Sequence, residues 1–213
     1  GTGCGLNAAV WAPSFWMPTA ATALRRVLFY TYCVDGDLGE MFLNFPMDPA
    51  LRPYAGVDLR TVREAIESLN TAKGGAAFRH NWERWERLFM GFCPSPYLAI
   101  QYLYLALEFA AGNRRCKANP LRWDKVRLNL PGDPVYNPSL PTVMKWNEIA
   151  ERIAGDIVGF MDDLRLSGFS IENAWAVARH ILARLQYLGI QDAPRKRRPP
   201  SQTPGAWAGA IFK

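Results

Sequence analysis

Two short stretches of this chain hold carboxylates close enough to work together. In CVDGDLGEMF (33–42), Asp35 and Asp37 are two residues apart and share one face of an extended strand. In GFMDDLRLSG (159–168), Asp162 and Asp163 follow an apolar run, and the stretch closes on a glycine. Adjacent carboxylates repel, and an unpaired buried charge is costly. A DD pair alone reads as a hairpin turn, where Asp caps local backbone groups, and D-x-D is also common in turns. Clustered carboxylates at strand ends equally suit hard divalent cations. Mg2+ takes oxygen ligands and keeps waters and substrate phosphates in its shell. Two such ions, about 4 Å apart, activate an attacking hydroxyl and stabilise a leaving oxygen in phosphoryl transfer.

Other chemistries have little material to work with. The two histidines, His80 and His180, argue against a His-based triad or a zinc centre. Cys4, Cys33, Cys93 and Cys116 form no C-x-x-C pair. That pattern argues against a disulfide framework and points to a reducing, intracellular compartment, cytoplasmic or nuclear. The chain has 213 residues, 49% of them hydrophobic, which is enough for a real core. Its net charge of +6 leans toward an anionic partner such as nucleic acid. The most apolar run, YLAIQYLYLALEFAAG (97–112), contains Gln101 and Glu108 and is too short to span a bilayer. It reads as a buried helix, and no membrane association is expected.

Elements must position the acids. VLFYTYCVD (27–35) is β-branched and aromatic and reads as a strand. LRPYAGVDL (51–59) reads as its return. Val62, Ala65, Ile66 and Leu69 share one helical face, and NWERWERLF (81–89) has helical or turn register. Residues 112–141 hold five prolines, and six basic residues lie between Arg114 and Arg127, so this stretch reads as a long irregular basic insert. A short amphipathic helix is expected over about 142–154. DIVGFM and LRLSG read as a hairpin with the acids at its tip. Ser170 is the expected N-cap of a long helix that Gly189 closes. AWAGAIF (206–212) is a last apolar strand. Together these elements imply an α+β fold, an antiparallel sheet backed by helices.

Five stretches, in order, resemble the motifs of reverse transcriptases, and most closely those of a eukaryotic retrotransposon. DLGEMFLNFPM resembles the first catalytic motif, in which an aromatic follows the acid by five residues. That spacing selects Asp37, with Phe42 as the aromatic, over Asp35. MGFCPSP (90–96) resembles the glycine and Ser-Pro motif, with Met90 where the family commonly has glutamine. FMDD (160–163) resembles the aromatic-x-Asp-Asp box. YLGIQDAPRKRRPP resembles the next motif, with Lys196 at its lysine. AWAGAIF looks like the apolar-Gly hairpin that contacts primer.

The resemblance implies a polymerase palm with partial fingers. Residues 1–26 would be an irregular fingers remnant and residues 27–213 the palm, with a fingers-side segment at about 60–90. The thumb would be absent, and the chain a fragment of something larger. Asp37, Asp162 and Asp163 would bind two Mg2+ ions, with Mn2+ as an alternative, and Asp162 would be the more certain ligand of the pair. Phe42 would exclude a ribose 2′-OH, and Met90, Gly91, Ser95 and Pro96 would line the substrate. Lys196 would protonate or meet pyrophosphate. Arg114, Arg115, Lys117, Arg122, Trp207 and Gly209 would contact nucleic acid, with Trp123 and Tyr136 available for stacking. The partners would be dNTPs and an RNA or DNA template with its primer. An RNA-dependent RNA polymerase, and a polymerase-like domain that binds without turnover, stay open as alternatives.

Overall fold

Alternation in DLRLSG sets the centre of the sheet that carries the acids. Asp163, Arg165 and Ser167 point to one face, and Leu164 and Leu166 to the other. The computed structural model describes residues 5–26, 31–60, 62, 63, 65, 67, 81–203 and 205–211. In chain order its elements are α1 (Leu6–Ala9), α2 (Ala20–Leu24), β1 (Tyr32–Asp37), β2 (Gly56–Asp58), β3 (Trp82–Arg84), α3 (Ser95–Ala111), β4 (Lys125–Leu128), β5 (Val143–Asn147), β6 (Arg152–Ile153), β7 (Ile157–Phe160), β8 (Asp163–Gly168), α4 (Ile171–Tyr187), β9 (Ala206–Trp207) and β10 (Ala210–Ile211). Short 3-10 turns lie at Met41–Asn44, Arg52–Tyr54 and Pro194–Lys196. The chain divides into two compact units, Gly1–Ser14 with Phe42–Ala99, and Phe15–Met41 with Ile100–Lys213.

The second unit holds an antiparallel sheet of order β1–β8–β7. One face packs on α4 and α3. A side chain at Gly36 would meet Leu182, Leu164 and Leu166, and one at Gly159 would meet Leu164 and Leu107. Val34, Leu164 and Leu166 are fully buried there, together with Val177 and Ile181 of α4. Each such side chain contributes about 1.5–3 kcal/mol by leaving water. The expected hairpin of DIVGFM and LRLSG is present, joined by Met161 and Asp162. Met161 has φ 53°, the left-handed region that a two-residue connection favours.

The ends of α4 follow the residues expected. The Ser170 hydroxyl accepts the Asn173 N–H at 3.1 Å. Gly189 has φ 82°, and the N–H groups of Gly189 and Ile190 return to the carbonyls of Gln186 and Leu185. This paired arrangement satisfies the last carbonyls of the helix.

Residues 142–154 are not a helix. β5 and β6 occupy that stretch, and β5 pairs with β4 inside the segment expected to be irregular. Cross-strand packing decides the matter, since the Arg127 guanidinium lies 3.8 Å from the Trp146 ring centre. Two asparagines order the rest of the insert. Asn119 holds the carbonyls of Ala111 and Asn113, and Asn129 those of Asn137 and Leu140. AWAGAIF is likewise two strands rather than one. Ala208 and Gly209 take positive φ at its tip and turn β9 back into β10. The first strand is shifted relative to 27–35, running over Tyr32–Asp37, and residues 27–30 lie outside the described residues.

In the first unit, β2 pairs with β3. Trp82–Arg84 is extended and strand-paired where helical or turn register is expected over 81–89, and Arg60 caps the Trp82 ring at 5.4 Å. Only Gly56–Asp58 of the strand expected over 51–59 forms. Trp85, Phe89 and Phe92 stack in series at 5.4 and 5.3 Å. Asn7 ties the glycine motif down, donating to Gly91 O at 2.7 Å and accepting the Cys93 N–H at 2.8 Å. Most of the helix expected over 61–70 lies outside the described residues, as do His80 and Cys4. The described part of residues 1–26 holds α1 and α2 rather than only irregular chain.

Candidate active site

Antiparallel register puts Asp37 at the end of β1 directly opposite Asp163, the first residue of β8. Both side chains lie on the face away from α4, along with Asp35 and Arg165, the next pair in the ladder. Asp162 is exposed in the connecting turn, and its carbonyl accepts the Leu38 N–H at 2.9 Å. This bond ties the turn to the strand end beyond Asp37.

Charge is concentrated at this edge. Burial, followed by the negative charges of Asp162, Asp37 and Asp35, pushes the Asp163 carboxyl above its ordinary range. Lys196 supplies counter-charge. Its Nζ lies 2.9 Å from both carboxylate oxygens of Asp37, and this contact raises the ammonium above its usual value. The Pro194–Lys196 turn that carries it is held to β1 by the Ala193 N–H donating to Asp37 O at 2.8 Å. Among the described residues, no three acid, histidine or cysteine side chains converge into a metal cage. The acids match a hard cation as a donor set of carboxylate oxygens, with substrate oxygens left to complete the shell.

A cavity of about 530 Å³ opens on these groups. Asp35, Asp37 and Asp163 line it, and so do the basic run Arg195–Arg198 and the β9–β10 hairpin through Trp207 and Gly209. Arg197 pairs with Asp192, and Arg198 donates to Ala206 O at 3.4 Å. Acids and cations lining one cavity can hold metal-bound phosphate.

The remaining expected residues divide between the two units. Phe42 opens the second segment of the first unit and is half-buried in the 3-10 turn Met41–Asn44. Met90 is 84% exposed, and Gly91 has φ 88° with open space where a side chain would stand. Ser95 is fully buried, its hydroxyl donating to Phe89 O at 2.9 Å, and Pro96 follows it in the first turn of α3. In the basic segment, Arg114 is held by Glu108 and Arg122 by Asp124, while Arg115 and Lys117 are exposed. Trp207 is buried against Ala23, Cys33 and Val158, and Gly209 is exposed in its turn.

Sequence reasoning passed over Asp35 and Arg165. The five-residue spacing to Phe42 favours Asp37 over Asp35. Once the hairpin places Asp163 beside Asp37, however, a two-residue step back along each strand sets Asp35 against Arg165.

No protein-family model and no curated protein matches this chain. Among solved structures it is similar to the crystal structure of prototype foamy virus protease-reverse transcriptase, with a TM-score of 0.52 and 13% sequence identity. The match covers 91% of this chain and 18% of that one. Among the described residues, no helix is long and apolar enough to cross a membrane. The likeness is one of fold: a mixed α+β chain, with antiparallel sheets and helices, resembling a reverse transcriptase.

Proposed function

We propose that this chain is the palm, with part of the fingers, of an RNA-directed DNA polymerase that joins a dNTP to a primer 3′-OH. The reading is carried by Asp37 facing Asp163 across β1 and β8, with Asp162 in the adjoining turn. The raised Asp163 carboxyl is in keeping with it, since burial first, and then the charges of Asp162, Asp37 and Asp35, disfavour its ionised form more than Lys196 favours it. Asp37, Asp162 and Asp163 would hold two Mg2+ ions, or Mn2+, which when bound supply activation of the attacking hydroxyl and charge neutralisation at the phosphates.

The chain's own groups bind and orient. Lys196 keeps a protonated Nζ at Asp37 and can pass that proton to departing pyrophosphate. Arg195 and Arg198 line the same cavity and favour a polyanion there. The exposed Arg115 and Lys117 are available to nucleic-acid backbone. Phe42 would select the deoxy sugar by clashing with a 2′-OH.

The test titrates Mg2+ while template–primer affinity is measured by fluorescence anisotropy. Affinity that tightens with Mg2+ and with the next complementary dNTP is expected. One observation favours a second reading, a polymerase-like domain that binds nucleic acid without turnover: Lys196 already occupies both oxygens of Asp37. Affinity indifferent to Mg2+ would support that second reading and overturn the first.

A further inference from the structure

On the sheet face that carries the acids, one cation is almost wholly buried. Arg165 is 1% exposed. It stands opposite Asp35 and grips that carboxylate twice, Nε donating to Oδ1 at 2.7 Å and a terminal nitrogen to Oδ2 at 3.0 Å. Its guanidinium carbon lies 5.1 Å from the centre of the Trp207 ring. Trp207 belongs to β9, far along the chain, and packs with Val158, which is the partner of Arg165 on its other side. One side chain thus joins β1, β8 and the β9–β10 hairpin.

A buried ion pair is a poor device for stability alone, because apolar side chains of similar volume often serve as well. Its two-pronged geometry does fix orientation, and a planar guanidinium can stack on an indole while both donors stay engaged. The hairpin held this way lines the 530 Å³ cavity together with Asp35, Asp37 and Asp163. The distance between hairpin and sheet therefore governs the room beside the acids.

We propose that Arg165 is a positioning residue: paired with Asp35 and stacked on Trp207, it latches the β9–β10 hairpin to the acid-bearing strands and sets the width of the cavity. Its service to catalysis rests on the polymerase reading, but the latch itself does not.

The experiment uses the double variant Asp35→Asn/Arg165→Met, which removes both charges and leaves neither buried alone. Two further variants accompany it. Arg165→Lys keeps the charge without the fork, and Trp207→Leu removes the ring. Hydrogen–deuterium exchange of Ala206–Ile211 is measured on proteins whose circular dichroism matches the parent. Roughly tenfold faster exchange in the hairpin is expected in all three variants, with α4 unchanged. Exchange that stays at the parent rate in the double variant overturns the latch.

Primer extension is read in parallel. A loosened hairpin is expected to cut kcat/KM by roughly 10²-fold, chiefly through kcat, and Arg165→Lys is expected not to restore it. A loosened hairpin with unchanged kcat/KM overturns the positioning role. A parent chain that fails to extend primers would count against the polymerase reading, while the exchange measurement still decides the latch.

Discussion

Asp37 and Asp163 face each other directly across β1 and β8, and a second pair, Asp35 with Arg165, lies two residues further along the same face. The two pairs are electrically opposite. The inner pair is a closed ion pair with side chains 13% and 1% exposed. The outer pair is acid against acid, with Asp162 beside it and Lys196 as counter-charge. The sheet thus neutralises itself inside and stays negative at the edge that opens on the cavity.

Asp163→Asn is expected to stabilise the metal-free chain at neutral pH. The folded-state carboxyl is raised above its ordinary, unfolded value by burial and then by neighbouring acids. Between the unfolded and folded values the native state binds more protons, so stability falls as pH rises through that window. The gain from Asn is therefore full above the folded value and vanishes below the unfolded one. Paired urea melts of parent and variant across pH 3 to 8 (roughly the range that brackets a raised carboxyl) check this. A gain that grows on acidification has the wrong sign.

Lys196→Gln is expected to tighten Mn2+ binding by a few-fold at most, since an ion pair this open to solvent is weakly held. The Lys196 side chain is 54% exposed and its hold on Asp37 is correspondingly weak. Electron paramagnetic resonance of free Mn2+ measures the change. Weaker binding in the variant would show that Lys196 and the cation do not share Asp37.

Gly168→Ala is expected to cost about 3 kcal/mol, at the upper end for overpacking. A side chain there would stand 2.6 Å from Asn173 Oδ1 and would press on Ala174 N, in the first turn of α4. The helix would have to move off the sheet that carries the acids. Denaturant melts measure the cost, and a loss under ~0.5 kcal/mol would show that the strand–helix junction yields freely.

Phe42→Ala is expected to raise ribonucleotide incorporation relative to dNTPs by roughly tenfold or more, which corresponds to losing a steric block of about 1.4 kcal/mol. Single-nucleotide incorporation with matched dNTP and NTP reads it out. Unchanged sugar choice removes Phe42 from the site and favours the RNA-polymerase alternative.

The acidic hairpin and α4 were legible because each is locally determined. Alternation in DLRLSG, the Ser170 cap and the Gly189 terminus all agree with the observed elements. The facing of Asp37 and Asp163 follows once two strands are placed side by side. The insert and the stretch of 142–154 that follows it were not legible. Val143, Ile149, Ala150 and Ile153 have helical spacing, yet the stretch is extended because β4 supplies a partner from a proline-rich segment. Such pairing is non-local and leaves no periodicity of its own. The Asp35–Arg165 pair was missed for a related reason, because register becomes visible only when both strands are considered together.

Primer extension on an RNA template is the most direct test that the acids at the strand edge form a polymerase site. It should be run with the protein as its natural gene encodes it, comparing the parent with Asp37→Asn and Asp162→Asn. Mg2+-dependent dNTP addition by the parent is expected, with both variants at least about 10³-fold slower while still folded. Extension at the parent rate in either variant would contradict the account.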